Sequence, residues 1–316
     1  MRAARVVGFG AVVVLVIATV PGLGALRSRF EHASAGWVVV AALLEAGSVL
    51  SFAVAFHRTF ERRLPTRTSV SLALTAQGVN VLIPAGGTGG LAVAGTVMAR
   101  AGVPAGIAVS RMVALFLISG VVPNITLIVL AGLGVGSGVV PGHASAAASW
   151  LPAGIAAVLT GAVWSLAGRL ERRARPERSG WRRWLGHVGD GASWTRELLR
   201  RHDPLLLAGA LGFVLLDLAA LAIAFHAIGS RGLPVGTLAL AYTLGQAGSV
   251  IPLPGTTEGG LIGLLLLYGA HLVPATSAVL LYRAVQTLVP LSLGSIGMAA
   301  LRNLAPALGD VEETVA

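Results

Sequence analysis

Six apolar stretches, at about residues 6–26, 36–57, 105–132, 145–168, 204–228 and 275–301, are each long enough to cross a bilayer, whose hydrocarbon core of ~30 Å takes roughly 20 helical residues. A backbone in hydrocarbon must satisfy its own polar groups, so such stretches become helices. The expectation is an all-α polytopic membrane protein with 1–316 as a single transmembrane domain. Composition agrees: 55% of residues are hydrophobic and 11% charged, against roughly 25% charged in soluble domains. Residues 6–26 follow Arg2 and Arg5 in the manner of a signal peptide, but the downstream spans favour an uncleaved first helix.

Two further segments have the wrong length. Residues 69–101 and 234–270 run to 33 and 37 residues, too long for one span and short for two spans with a turn. Each is interrupted by proline and glycine, Ile83-Pro84-Ala85-Gly86-Gly87-Thr88-Gly89-Gly90 in the first and Ile251-Pro252-Leu253-Pro254-Gly255-Thr256-Thr257-Glu258-Gly259-Gly260 in the second. Each therefore reads as two half-helices about a break, a re-entrant hairpin.

The arginines test that reading. All 23 basic residues are arginine, and cytoplasmic loops are enriched in positive charge. With a cytoplasmic N-terminus and both broken segments returning to their own side, 18 of the 23 arginines fall inside. Arg27, Arg29 and Arg231 fall outside, and the linker at 169–203, with ten arginines against five acids, lies inside. Were the first broken segment to cross once, that linker would be extracellular. The topology thus has six full spans, two re-entrant hairpins and cytoplasmic termini in a plasma membrane. It also explains the net charge of +10 without nucleic acid as a partner.

The halves repeat. Ala53-Val54-Ala55-Phe56-His57 and Ala222-Ile223-Ala224-Phe225-His226 stand 27 and 26 residues before Pro84 and Pro252. Pro104 and Pro274 each lie 14 residues beyond the closing Gly90 and Gly260, and Arg111 and Arg283 follow those prolines by seven and nine residues. The units, 36–132 and 204–302, enter their hairpins from opposite sides, an inverted repeat of the kind recurrent in transporters.

Ionisable residues at membrane depth cost roughly 2.5–3.5 kcal/mol each on insertion scales and mark sites. Arg111 and Arg283 follow the breaks, Glu45 and Asp217 precede them, and Glu258 lies in the second break. Guanidinium forks two donors toward phosphate, and half-helix N-termini present free amides to an anion, so Arg111, Arg283, Glu258, Asn80, Gly86, Gly87 and Gly255 are candidates for binding an anionic head group. Glu45 and Asp217 are candidates for ion pairing or proton coupling. A structural reading stands beside this one: the arginines neutralise Glu45 and Asp217 or snorkel to an interface, and Gln77, Asn80 and Gln246 satisfy carbonyls. His57 and His226 read as structural residues at helix ends. Trp181, Trp184 and Trp194 make the linker either an amphipathic stretch on the inner leaflet or a solvated loop. Cysteine is absent, no metal spacing or nucleophile with an adjacent base is visible, and no cofactor is implied.

Asn80-Val81-Leu82-Ile83-Pro84-Ala85-Gly86-Gly87, the element from Ile251-Pro252-Leu253-Pro254-Gly255 to Glu258, and Leu281-Tyr282-Arg283 together resemble the transmembrane domain of lysylphosphatidylglycerol synthases over roughly 6–302. Here the second glycine element is shorter, and Arg111 lacks the acidic neighbours frequent in that family. The resemblance implies flippase-like movement of lipids or lipid-linked sugars between leaflets, with anionic phospholipid or polyprenyl-phosphate cargo and a separate lipid-modifying synthase as a partner. The chain ends at Ala316 without the soluble aminoacyl-transfer domain, so synthesis is not implied and a non-enzyme is expected. Two other readings remain open at this point: a transporter of a small anionic solute, and an intramembrane enzyme modifying lipid or glycolipid.

Overall fold

The computed structural model describes residues 24–60, 64–82, 88–100, 102–142, 144–173, 180–247 and 256–315. Among them all regular structure is helical: α1 Gly24–Glu31, α2 Ala35–Phe60, α3 Thr66–Leu82, α4 Thr88–Arg100, α5 Ala105–Phe116, a π-helical segment Leu117–Val121, α6 Val122–Gly136, α7 Ala146–Arg173, α8 Gly180–Arg200, α9 Pro204–Ala227, α10 Val235–Ala247, α11 Thr256–Leu267 and α12 Leu272–Val315.

Four helices are long and apolar enough to cross a membrane: Ala35–Phe60, Ala105–Gly136, Pro204–Ala227 and Leu272–Asn303. They coincide with four of the six stretches expected from sequence. The fourth, 145–168, lies within α7, whose described apolar part is Ala147–Val158; the first, 6–26, lies outside the described residues but for 24–26. In Ala105–Gly136 the π segment precedes Pro123, whose missing N–H cannot continue the α-helical ladder. The widened turn carries the helix past it.

α2 and α9 form the antiparallel centre of the bundle. Their backbones meet at Gly209, where a Cβ would stand 2.8 Å from both the Ser51 carbonyl oxygen and the Ala55 nitrogen; only glycine permits that approach, the small-residue packing usual between membrane helices. Ser48 Oγ donates across the pair to the Phe213 carbonyl at 2.7 Å. One end is pinned by the Arg58 Nε to Asp203 Oδ2 bridge at 2.7 Å, with Asp203 capping α9 by accepting from the Leu205 and Leu206 amides. At the other end the Ser34 amide donates to the Ala227 carbonyl at 2.8 Å and Arg29 donates to Ile228 O at 3.0 Å, a cation at a helix C-terminus.

Both interrupted segments fold back on themselves. In a continuous helix residues 80 and 90 would lie about 15 Å apart, yet the Gly90 amide donates to Asn80 Oδ1 at 2.7 Å. Similarly, Gly245 of α10 lies against Leu261 of α11, with a Cβ on Gly245 falling 3.0 Å from Leu261 Cδ1. One arm of each hairpin reaches across the bundle. α3 packs on α12 through Gly78 and Gly294, whose Cα atoms meet so closely that a Cβ on either would clash with the other, while α10 packs on α6. One apolar cluster gathers Phe56, Phe60, Leu72, Met98 and Met112, and a second gathers Leu221, Phe225, Leu240, Leu265 and Tyr268.

The arginine linker is mostly the helix α8, and it docks on protein. Ala192 and Leu198 are buried, and α8 lies against α5 and α7. The solvated-loop reading fails for this stretch because Trp194 packs against the first cluster.

Candidate functional site

Two carboxyls meet at the α2–α9 crossing. Glu45 is 4% exposed and Asp217 6% exposed, and both stand about one turn from the Ser48–Phe213 hydrogen bond that joins the two helices. Buried ionisable groups persist only when surrounded by partners, and Asp217 has many. Its Oδ1 accepts from the Tyr282 hydroxyl at 2.7 Å and its Oδ2 from the Tyr242 hydroxyl at 2.7 Å. The Gln286 amide nitrogen donates to Oδ1 at 3.3 Å and Oδ2 at 3.2 Å, and to the Tyr282 oxygen at 2.7 Å. Gln246 follows Tyr242 by about one turn of α10. The other carboxyl is less provided for: Glu45 Oε2 is buried without a hydrogen-bond partner.

Arg283 completes the cluster. Its Nη1 donates to Gln286 Oε1; guanidinium is donor-only, which turns the Gln286 amide nitrogen toward Asp217. A relay thus runs Arg283 to Gln286 to Asp217. Arg283 Nε lies 3.5 Å from Glu258 Oε1 but makes no hydrogen bond, and it is buried. Glu258 sits in the first turn of α11, where the helix dipole favours an anion. The sequence-predicted residues Glu45, Asp217, Arg283 and Glu258 therefore share one site, built by α2, α9, α11 and α12 with Tyr242 from α10.

Arg111 lies elsewhere. It donates to the Thr59 carbonyl at 3.2 Å, and its guanidinium stands 4.9 Å from the centre of the Trp194 ring, a cation–π contact shared with Arg201 at 5.2 Å. Thr59 is 14 residues, about 21 Å of helix, from Glu45 on α2. The expectation that Arg111 and Arg283 together bind one head group is corrected by this geometry. Tertiary packing brings α8 over α5, so Arg111 holds the linker helix.

Asn80 also has a structural role. Besides receiving the Gly90 amide it donates to Gln77 Oε1 at 3.3 Å, closing the first hairpin. A Cβ on Gly90 would fall 2.5 Å from the Ala76 carbonyl, so glycine is required for the fold-back. Gly86, Gly87 and Gly255 lie outside the described residues. His57 bonds Ser69 Oγ at 2.8 Å and His226 bonds the Ala222 carbonyl at 3.0 Å.

Between α3 and α12 runs an open groove of about 300 Å³, lined by Thr75, Val79, Leu82, Leu291, Met298 and Arg302 among others. Its walls are mainly apolar. Arg302 is exposed at its end, 19 residues from Arg283 along the same helix, or about 28 Å, close to the thickness of a bilayer core. Sequence reasoning passed over Tyr242, Gln286 and Arg302: one tyrosine and one glutamine in apolar helices, and an arginine that reads as an ordinary cytoplasmic flank.

Apolar helices of spanning length around a buried, charged cluster define an integral membrane protein. The chain belongs to the family described as lysylphosphatidylglycerol synthase TM region, whose model matches residues 4–294. No curated protein and no solved structure matches it.

Proposed function

We propose that this protein is a transporter, not an enzyme, and moves an anionic lipid or lipid-linked head group between the leaflets of the plasma membrane. A related lipid-handling role is what the family suggests. The observation that carries the proposal is Arg283, a permanent cation on a spanning helix whose buried Nε has no hydrogen-bond partner among the described residues. A phosphodiester oxygen is the acceptor that matches it.

The architecture proposed around that site is six spans and two re-entrant hairpins in an inverted repeat, with cytoplasmic termini. It is supported by the antiparallel pairing of the corresponding helices α2 and α9, by the fold-back of both interrupted segments, and by the packing of one arm of each hairpin on a spanning helix of the other unit. Two units related in this way have alternative packings that open one site to either face. The groove between α3 and α12 supports lipid over soluble cargo, because its lining of Val79, Leu82, Leu291 and Met298 suits an acyl chain while Arg302 suits a phosphate. The cargo fitting this chemistry is an anionic phospholipid or polyprenyl phosphate, delivered by a separate synthase where modified.

The test is leaflet exchange of labelled phosphatidylglycerol in liposomes holding equal amounts of parent protein or Arg283→Ala. Loss of exchange in the variant is expected; full exchange by Arg283→Ala overturns the assignment.

A further inference from the structure

We infer that Glu45 and Asp217 form a proton-binding dyad whose second protonation is linked to anion binding at Arg283, so that lipid head group and proton occupy the protein together. The inference rests on the head-group reading of Arg283 given above and adds what balances the charge.

Glu45 and Asp217 are both buried and stand about one turn from the Ser48–Phe213 hydrogen bond that joins α2 to α9. Two carboxylates buried in one site cannot both ionise at low cost, so the pair holds one proton between them. Asp217 already accepts from Tyr242, Tyr282 and Gln286, and those donors stabilise it as the ionised member. Glu45 is then the acid, and its Oε2 is buried with no partner. An unpartnered buried oxygen is destabilising. It is also the open acceptor through which a further proton can enter.

The charges facing the dyad come from every helix around it. α12 supplies Arg283 and Tyr282, α10 supplies Tyr242, and α11 supplies Glu258 beside Arg283. With one proton on the dyad, Arg283 is opposed by two negative charges, the dyad and Glu258, and the cluster carries a net charge of −1. A phosphodiester on Arg283 brings the sum to −2 in a buried setting where such charge is costly. Uptake of one proton from water by the dyad restores −1. No bond other than O–H is made, and the proton returns to water when the lipid leaves. Gln286, bonded to both Arg283 and Asp217, physically joins the two sites. By linkage, each ligand then strengthens the other equally.

The test uses the full chain in uncharged detergent, with dihexanoylphosphatidylglycerol as the probe, a phosphodiester that does not itself titrate near neutrality. Calorimetry in two buffers of different ionisation enthalpy reads the protons exchanged. Uptake approaching one proton per lipid is expected, with affinity rising up to about tenfold for each pH unit of acidification. The double variant Glu45→Gln, Asp217→Asn should bind without uptake and with no pH dependence. Binding by the parent without proton exchange, or uptake retained in the double variant, overturns the linkage and leaves the head-group site standing. Absence of binding overturns both. Equal affinity for glycerophosphoglycerol, the head group without chains, keeps the linkage and transfers the cargo from lipid to solute. The shared proton has its own readout should the double variant fail to fold. Infrared spectra at neutral pH should show a buried carboxylic-acid band that Glu45→Gln removes, and persistence of that band in Glu45→Gln refutes the dyad.

Discussion

Arg111 and Arg283 follow corresponding prolines in the two halves, seven and nine residues on, yet one is committed to architecture and the other faces a charged cluster. Arg111 is held between the Thr59 carbonyl and the Trp194 ring, where the linker helix α8 covers it. Arg283 has a carboxamide on one side, Glu258 on the other, and a buried Nε without a hydrogen bond between them. Sequence symmetry thus placed two equal charges, and asymmetric packing gave only one of them an opening. Matching sequence positions need not become equivalent sites, since the linker helix covers only one of them.

Substitutions can break this contrast. The largest effect is expected for Arg283→Ala, which should lower exchange about 10- to 100-fold, the worth of one charge-assisted hydrogen bond. Arg283→Lys, a point charge that cannot fork to phosphate, should recover only part of the rate. Liposome exchange measures both. Arg111→Ala should spare exchange and lower stability by about 0.5–1 kcal/mol, the range of a cation–π contact. Limited proteolysis of the 169–203 linker should register that loss. Equal loss of exchange in Arg111→Ala and Arg283→Ala would collapse the comparison.

Two smaller effects sharpen it. Asn80→Ala removes the acceptor of the Gly90 amide and should cost about 1–3 kcal/mol in thermal unfolding, whereas Asn80→Asp keeps an acceptor there and should cost less. A head-group role for Asn80 would instead lower exchange in both variants with stability unchanged. The smallest effect concerns the N-terminal end of α9. Partial burial works to raise the Asp203 carboxyl, but the hydrogen bond from Arg58 and those from the Leu206 and Leu205 amides outweigh it and hold it below its ordinary value. A carboxyl held low in the folded state adds stability above its unfolded value and loses it as pH falls through the lowered one. Asp203→Asn should therefore flatten stability against pH only on the acid side of the usual carboxylate range, by at most about 1 kcal/mol, the worth of an N-cap. Urea or thermal titration of the purified protein would show it.

The membrane class, four of the spans and the two interruptions were legible in the sequence, because run length and proline–glycine clusters act locally through hydrocarbon thickness and backbone hydrogen bonding. Glu45, Asp217, Arg283 and Glu258 were legible as candidates for the same reason: charge is conspicuous where the solvent is lipid. Tertiary structure alone decided which of them meet. Tyr242 and Gln286 carry no signal among apolar neighbours, and only the crossing of α2 with α9 under α10 and α12 brings them, with Tyr282, around Asp217. Whether Arg111 binds a ligand or a tryptophan depends on where a helix some 80 residues downstream comes to rest, and long-range packing of that kind leaves no periodicity or spacing to read.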